Sequence, residues 1–168
     1  EKKKITIAQE HFASAFLRIH KSSLLSGTVN RSQKRKVILT TLPDELHEGG
    51  LLIMALQLKV RGWTIYYLGP DTPLADLKTA TIAIRPDLIC LSCIEPKTLE
   101  THAAELGTIP SLICVGGSGL TKLLKVDHFP ENLMLLVDSA NDAAELLDGL
   151  NIKHLEKFKK TSRRIIKG

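Results

Sequence analysis

The stretch KVILTTLPDELHEGGLLIMALQLKVRG, residues 36–62, changes character twice along its length. Residues 36–42 are apolar and rich in β-branched side chains, which is typical of a buried strand, whereas residues 51–62 form a longer apolar run typical of a buried helix. Between them, residues 44–50 hold three acids, one histidine and two glycines. The stretch therefore predicts a strand, a polar turn and a helix, which is the repeating unit of an α/β fold.

The same alternation continues toward the C-terminus. Short apolar runs predict strands at 37–42, 63–68, 88–93, 112–115 and 133–137, and helical stretches lie near 49–61, 74–84, 96–106, 118–125 and 140–149. Strands that each precede a helix favour a parallel sheet with both faces covered. We therefore predict a flavodoxin-like, doubly wound, five-stranded α/β fold, preceded by a helical segment that has apolar residues at helical spacing within residues 5–25.

Length and charge limit the possible classes of protein. The 168 residues, 43% of them hydrophobic, suit one domain of residues 31–152, flanked by a helical segment of 1–30 and a basic tail of 153–168. The tail holds seven Lys and Arg residues and one acid, so the net charge of +5 belongs to it rather than to a nucleic-acid-reading surface. No apolar run is long enough to span a bilayer and the first residues do not resemble a signal peptide, so we expect a cytoplasmic protein without a membrane partner.

The three cysteines lie in predicted strands. Cys90 and Cys93 read as a C-x-x-C pair, but residues three apart in a strand point to opposite faces. Buried free thiols, Cys114 included, are the favoured interpretation, and a redox or metal pair is the alternative.

The turn after the first strand is the main candidate for chemistry, because ligands of open α/β sheets bind beyond the carboxyl ends of the strands. Three carboxylates would repel a phosphate, and no glycine-rich nucleotide motif is present. His47 follows Glu45 by two residues, and a carboxylate beside an imidazole is a common arrangement for a metal-ligating histidine. A surface histidine beside capping acids is the alternative, and the turn alone does not decide between them.

Two further loops complete an ordered pattern. The third predicted strand ends in Ser92-Cys93-Ile94, and the fourth ends in Gly116-Gly117. Together with Glu45-Leu46-His47-Glu48-Gly49-Gly50, they read E-x-H-x-x-G, S-x-I and G-G. This pattern resembles the cobalamin-binding domain family, whose signature is D-x-H-x-x-G, S-x-L and G-G.

The resemblance implies a ligand set. His47 would be the lower axial ligand of cobalt, with Glu45 and Ser92 relaying its hydrogen bonds. The displaced lower base of the cofactor would lie in a slot between the Ser92 and Gly116 loops. The other residues of the motifs would line the cofactor site: Leu46, Glu48, Gly49, Ile94 and Gly117.

The helical segment narrows the resemblance. QEHFAS, with Glu10 and His11, resembles the cap over the cofactor in light-sensing transcription repressors of the MerR type, which regulate carotenoid synthesis. The resemblance implies a non-enzymatic photosensor that binds adenosylcobalamin, changes its oligomeric state when light breaks the cobalt–carbon bond, and binds DNA only through a winged-helix segment absent from this sequence. Glu10 and His11 would contact the cofactor, and a homo-oligomer is expected.

Two other functions compete with the sensor. A corrinoid carrier protein of a methyltransferase system would use the same histidine and slot, with a longer helical cap. A receiver-type interaction module would need an acidic residue at the end of the third strand, where this sequence has LSC.

Overall fold

The described part of the chain includes almost all of the predicted sheet. The structure, a computed structural model, describes residues 35–118, 120, 129–136, 140–149 and 165–166, and seven separate residues of the N-terminal segment: Thr6, Ala8, Phe12, Ala15, Phe16, Ile19 and His20. The last six of these are helical, in agreement with the predicted N-terminal helix. The predictions for Glu10, His11, the helix at 121–125 and most of the basic tail lie outside the described residues.

All strands are parallel and belong to one sheet. Its order is β2-β1-β3-β4-β5-β6, so the chain reverses direction across the sheet after β2. The strands are β1 Lys36–Thr41, β2 Thr64–Gly69, β3 Leu88–Ser92, β4 Ile113–Gly116, β5 Leu133–Leu136 and β6 Ile165–Ile166. The flavodoxin-like prediction is confirmed, with a two-residue sixth strand added from the basic tail.

Helices cover both faces of the sheet, as the apolar strands require. The helices are α1 Gly49–Val60, α2 Leu74–Ile84, α3 Pro96–Leu106 and α4 Ala140–Gly149. One apolar layer joins α1 and α4 to Val37 and Leu39, and the other joins α2 and α3 to Ile38. Neighbouring residues of β1 thus enter different layers, because successive side chains of a strand point to opposite faces.

The unit β1–α1–β2 closes through a specific helix end. Gly62 has φ +91°, and its amide donates to the Lys59 carbonyl at 2.9 Å while the Trp63 amide donates to the Leu58 carbonyl at 3.1 Å. This pair of bonds is the Schellman arrangement, in which a glycine takes the left-handed conformation. It turns Trp63 into the core, where the indole N–H donates to Asp148 Oδ1 at 2.9 Å. Trp63 is thus a buried core residue.

Candidate functional site

The sheet register brings the three sequence motifs to one edge. Thr41 at the end of β1 pairs with Ser92 at the end of β3, and Ser92 pairs with Gly116 at the end of β4. The turn of residues 42–48, hereafter the histidine turn, therefore lies beside the loops that follow Ser92 and Gly116. β1 and β3 lie where the strand order reverses, which is the position at which open α/β sheets bind ligands.

Glu45 organises the histidine turn through its carboxylate. Oε1 accepts a hydrogen bond from the His47 amide at 2.9 Å and lies 2.6 Å from His47 Nδ1. Oε2 accepts from the Ile94 amide at 3.1 Å, which ties the turn to the loop after β3. A carboxylate with three such contacts has a fixed orientation, and so has the imidazole beside it.

The imidazole faces outward from this support. The side chain of His47 is 71% exposed, whereas that of Glu45 is only 10% exposed. An ionised carboxylate can only accept, so the Nδ1–H tautomer of the neutral imidazole makes this hydrogen bond and keeps its lone pair on Nε2. The turn thus exposes His47 Nε2 at the ligand-binding edge of the sheet. This geometry suits an axial metal ligand.

The charge of Glu45 is retained in this partly buried position. Burial alone would raise the pKa of the Glu45 carboxyl, but hydrogen bonds from the His47 amide and ring and from the Ile94 amide outweigh it. The net result is a pKa below the ordinary value. Glu45 is therefore ionised at neutral pH and acts only as an acceptor.

A second set of contacts fixes the backbone of the histidine turn. The buried hydroxyl of Thr41 donates to the Glu45 carbonyl and accepts from the Asp71 amide at 2.8 Å. Asp71 Oδ1 accepts in turn from the Asp44 amide at 2.9 Å. Asp44 and Asp71 both have positive φ, at 64° and 53°. The loop after β2 thus braces the turn from the side opposite Ile94.

Glu48 closes the turn at the start of α1. Its side chain is buried, and its Oε2 accepts from the Tyr67 hydroxyl at 2.6 Å. Leu46, within the histidine turn, and Ile94, in the loop after β3, have exposed side chains, and Gly49 begins the helix. Ser92 contributes a long contact of 3.5 Å from its hydroxyl to the His47 carbonyl, so its role in a relay to the imidazole stays a prediction.

The glycine pair after β4 makes a close approach that no other residue allows. Gly117 has φ +148°, and a Cβ added there would lie 1.9 Å from the carbonyl oxygen of Cys93. A Cβ at Gly116 would meet nothing nearer than the Leu136 carbonyl oxygen at 3.9 Å. Gly117 therefore lets the loops after β3 and β4 touch, while Gly116 leaves space at the sheet edge.

That space belongs to a cavity of about 400 Å³, hereafter the slot. It runs from the loop after β4 down between the sheet and helices α1 and α4. Its lining is mostly small or apolar: Gly50, Leu51, Met54, Cys90, Leu91, Ser92, Cys114, Gly116, Gly117, Ser118, Leu136, Ala140 and Ala143. A cavity therefore lies at the predicted place between the Ser92 and Gly116 loops, and its lining suits a largely apolar group. Its occupation by the lower base of a cofactor stays a prediction.

The donor set fits a metal complex that brings its own ligands. Among the residues that the structure describes, no three His, Cys, Asp or Glu side chains converge on a site that could hold a bare metal ion. A corrin ring supplies its cobalt with equatorial nitrogens, so one protein imidazole suffices as axial ligand. His47 with its carboxylate support, next to an open slot, satisfies that requirement.

The cysteines lie in the core as unpaired thiols. Cys90 and Cys114 belong to the layer of α1 and α4, and Cys93 to the layer of α2 and α3. The predicted opposite orientation of Cys90 and Cys93 is thereby confirmed. Burial raises the pKa of Cys90 to about 12 and, together with negative charge from Glu45, that of Cys93 to about 11, so both are protonated thiols.

Sequence reasoning missed three of the residues that hold the histidine turn. Thr41 ends β1, Tyr67 belongs to β2 and Asp71 lies in the loop after β2. The contacts of Tyr67 and Asp71 to the turn connect residues 19 and 27 positions apart, whereas Thr41 contacts Glu45 only four positions on. One weak signal was present, because the apolar run of residues 37–39 is followed by two polar residues, Thr40 and Thr41, at the ligand-binding edge. Nothing in the sequence specifies the Tyr67–Glu48 contact.

The fold defines the class of domain. The chain is similar in structure to the methanol:cobalamin methyltransferase complex MtaBC of Methanosarcina barkeri, with TM-score 0.55, 19% identity, and 94% of this chain and 64% of that chain covered. It is also similar to the monomethylamine corrinoid protein of M. barkeri, with TM-score 0.62, 13% identity, and coverage of 85% and 71%. At these identities the likeness shows a shared fold.

Sequence comparison adds a more specific relationship. The chain is 32% identical over 127 residues to the HTH-type transcriptional repressor CarA of Myxococcus xanthus, covering 73% of this chain and 44% of CarA. It is 38% identical over 96 residues to the repressor CarH of the same organism, covering 57% of this chain and 32% of CarH. The resemblance to this group of repressors is confirmed, and the chain spans less than half the length of either relative. No family model matches the chain.

The described helices were also compared with the length of a bilayer span. None of them is both long and apolar enough to cross a membrane.

Proposed function

We propose that the chain is the adenosylcobalamin-binding photosensory domain of a transcriptional repressor. The observation that supports the proposal most strongly is the exposed His47 imidazole, held at Nδ1 by the buried Glu45 carboxylate and placed beside the slot. Similarity to two HTH-type repressors favours a regulatory role over an enzymatic one.

In this proposal the histidine turn holds the metal. His47 Nε2 would ligate the cobalt of a corrinoid, and ionised Glu45 would keep the imidazole in the tautomer that leaves this nitrogen unprotonated. The carboxylate also fixes the orientation of the imidazole ring, as hydrogen-bond partners of metal-ligating histidines commonly do. The Ile94 amide and the Thr41 hydroxyl stop the turn from rotating away.

In this proposal, the slot would hold the nucleotide tail of the cofactor. Gly50 and Gly116 line the slot and have no side chain that could obstruct it. Gly117 sets the distance between the loops that follow β3 and β4. Leu46 and Ile94 are exposed apolar side chains next to His47 and provide a surface for the underside of the corrin ring.

In this proposal, light is sensed on the face of the corrin ring opposite His47. When bound, adenosylcobalamin supplies a cobalt–carbon bond that visible light breaks. Glu10 and His11, which lie outside the described residues, would contact the adenosyl group in the dark, and loss of that contact on illumination would change the oligomeric state and the DNA binding of the repressor. Differential contacts in the two states are what a ligand-driven switch requires.

Absorbance spectroscopy tests the metal-binding part of the proposal. Purified protein mixed in the dark with adenosylcobalamin should show the spectrum of a histidine-ligated corrinoid, and green light should convert it irreversibly. His47→Ala should abolish the ligated spectrum and weaken binding about tenfold or more. Wild-type protein that binds no adenosylcobalamin, or His47→Ala protein that keeps the wild-type spectrum and affinity, contradicts the proposal.

A matched histidine variant controls for the loss of an imidazole as such. His102 is half-buried on α3, away from the strand-edge loops. His102→Ala should retain the ligated spectrum. If both variants bind as the wild type does, His47 is not the ligand.

A corrinoid carrier for methyl transfer is the second candidate, and the structural similarity to the monomethylamine corrinoid protein favours it. Gel filtration in the dark and after illumination separates the two functions. A change of oligomeric size that requires adenosylcobalamin and light supports the sensor. Tighter binding of methylcobalamin with no change of size supports the carrier.

A further inference from the structure

Sulfur atoms line the deep end of the slot. Met54 comes from α1, Cys90 from β3 and Cys114 from β4, and all three line the same cavity. They are almost fully buried, at 8%, 3% and 1% exposure. The proposed function leaves these three side chains without a role.

The sheet register explains why the two thiols meet there. Cys90 and Cys114 are direct partners across β3 and β4, so their side chains leave the same face of the sheet next to each other. Met54 packs in the same apolar layer. Together, the three residues form a continuous surface, hereafter the sulfur floor.

The sulfur floor offers no strong hydrogen-bonding group. Burial raises the pKa of Cys90 to about 12, and burial and the neighbouring Cys90 raise that of Cys114 well above its ordinary value, so both thiols stay neutral. A neutral thiol is only a weak donor and a weak acceptor. Among the described residues that line the slot, the side-chain hydroxyls are those of Ser92 and Ser118, at the ends of β3 and β4 and not on the floor.

We propose that Met54, Cys90 and Cys114 make the slot selective for corrinoids whose lower base is an apolar aromatic ring, such as dimethylbenzimidazole, over corrinoids that carry adenine. This inference rests on the proposed function, since it assumes that the lower base enters the slot. Sulfur packs favourably against aromatic rings. The amino group and extra ring nitrogens of adenine would lose water at the sulfur floor without gaining partners of equal strength.

Competition among adenosylated corrinoids tests the inference. The purified protein is titrated in the dark with adenosylcobalamin, with its analogue that has adenine as lower base, and with adenosylcobinamide, which has no base. The adenine analogue should bind about 10- to 100-fold more weakly than adenosylcobalamin, the range expected when one polar group is buried without a partner. Equal affinity for the two base-bearing cofactors overturns the inference.

Variants of the sulfur floor locate the source of the preference. Cys114→Ser adds a hydroxyl that can both donate and accept, so it should narrow the affinity ratio several-fold. Cys114→Ala keeps the surface apolar and should retain a ratio close to that of the wild type. A ratio that is the same in the serine and alanine variants would assign the preference to another part of the slot and refute the role of the floor.

Cys93→Ser supplies the matched control. Cys93 lies in the opposite apolar layer, and its thiol donates to the Glu95 carbonyl at 3.1 Å, a bond that a serine hydroxyl can also make. This variant should leave the ratio unchanged. A ratio that falls as far in Cys93→Ser as in Cys114→Ser would show a general effect of buried hydroxyls and overturn the assignment.

The cobinamide titration distinguishes a failure of the proposed function from a failure of the proposed selectivity. If adenosylcobinamide and adenosylcobalamin both fail to bind, the proposed function is wrong. If all the corrinoids bind with a His47-dependent spectrum but without discrimination between the bases, only the selectivity of the sulfur floor is wrong.

Discussion

The histidine turn and the glycine loop after β4 lie at the same edge of the sheet but are built on opposite principles. In the histidine turn, side-chain and backbone groups of Thr41, Glu45 and Asp71 make a dense set of hydrogen bonds that point one imidazole outward. In the glycine loop, position is set by missing atoms, since Gly117 touches the Cys93 carbonyl where a Cβ cannot exist.

This difference separates two tasks of one site. A metal ligand needs an exact direction, and a charged hydrogen-bond network provides it. A slot needs empty volume between packed elements, and glycine provides it without any polar contact. Substitutions in the two regions should therefore damage the site in different ways. In the histidine turn they should disturb the orientation of the imidazole, and in the glycine loop they should cause steric clashes.

The largest effect is expected at Gly117. Gly117→Ala places a Cβ 1.9 Å from the Cys93 carbonyl oxygen in a backbone conformation with φ +148°. The two loops must separate, and the free energy of unfolding should fall by about 3–5 kcal/mol. Urea denaturation of the apo-protein measures this change.

Gly50→Ala is the control for the glycine comparison. A Cβ at this helical position meets nothing within 4 Å. Because alanine is the better helix former, the apo-protein should gain about 0.5–1 kcal/mol. If both alanine variants shift stability in the same direction, close packing is not what fixes Gly117.

A smaller loss of stability is expected when the hydrogen bonds of the histidine turn are removed. Glu45→Ala leaves the His47 and Ile94 amides and the imidazole without their acceptor, so stability should fall by about 2–3 kcal/mol. Chemical denaturation of the apo-protein gives the value. Asp44→Asn is the matched control, because asparagine tolerates the positive φ of this exposed residue and the Asp44 contact is made by its backbone amide.

The pH dependence of stability tests the charge on Glu45. Its folded-state pKa is lowered, so its contribution is present above the ordinary value of 4.5 and is lost as pH falls through the folded-state pKa. The stability difference between wild type and Glu45→Gln should therefore shrink steadily as pH is lowered below about 5. A difference that stays constant over this range would show that folding does not lower the pKa of Glu45 and would contradict the stabilisation of its charged form by the turn.

The smallest effect is expected at the base of the histidine turn. Tyr67→Phe removes the hydroxyl that donates to the buried Glu48 carboxylate, at a cost of about 1–2 kcal/mol. The slot should be unaffected, because neither residue lines it. A loss of stability larger than that of Glu45→Ala would mean that the Tyr67–Glu48 hydrogen bond contributes more to the turn than the contacts of Glu45.

Much of this fold could be predicted from the sequence. Strands β1, β3, β4 and β5 are short, mostly buried and mostly apolar, which makes them easy to recognise between helices. The ligand-binding edge follows from the topology, so Glu45, His47 and Gly116 could be assigned to it. The two-residue strand Ile165–Ile166 was missed, since two isoleucines in a basic tail are too short a run to indicate a strand.

The remaining features depend on contacts between loops. The need for glycine at position 117 arises only when the Cys93 carbonyl is packed against it, and the Thr41 and Asp71 contacts depend on the relative placement of β1 and β2. The sulfur floor requires the register of β3 against β4, which a linear pattern of cysteines does not specify. Local periodicity therefore predicted the elements, and tertiary packing decided the details of the site.

The bond from His47 to cobalt is the central claim of the account, and electron paramagnetic resonance of the bound cob(II)alamin form tests it most directly. An axial nitrogen splits the cobalt lines, and protein labelled with nitrogen-15 histidine should change that splitting from the three-line pattern of nitrogen-14 to the two-line pattern of nitrogen-15. His47→Ala protein should show no effect of the label. An unchanged three-line pattern in labelled wild-type protein would mean that the cofactor's own base is the axial ligand and would contradict the account.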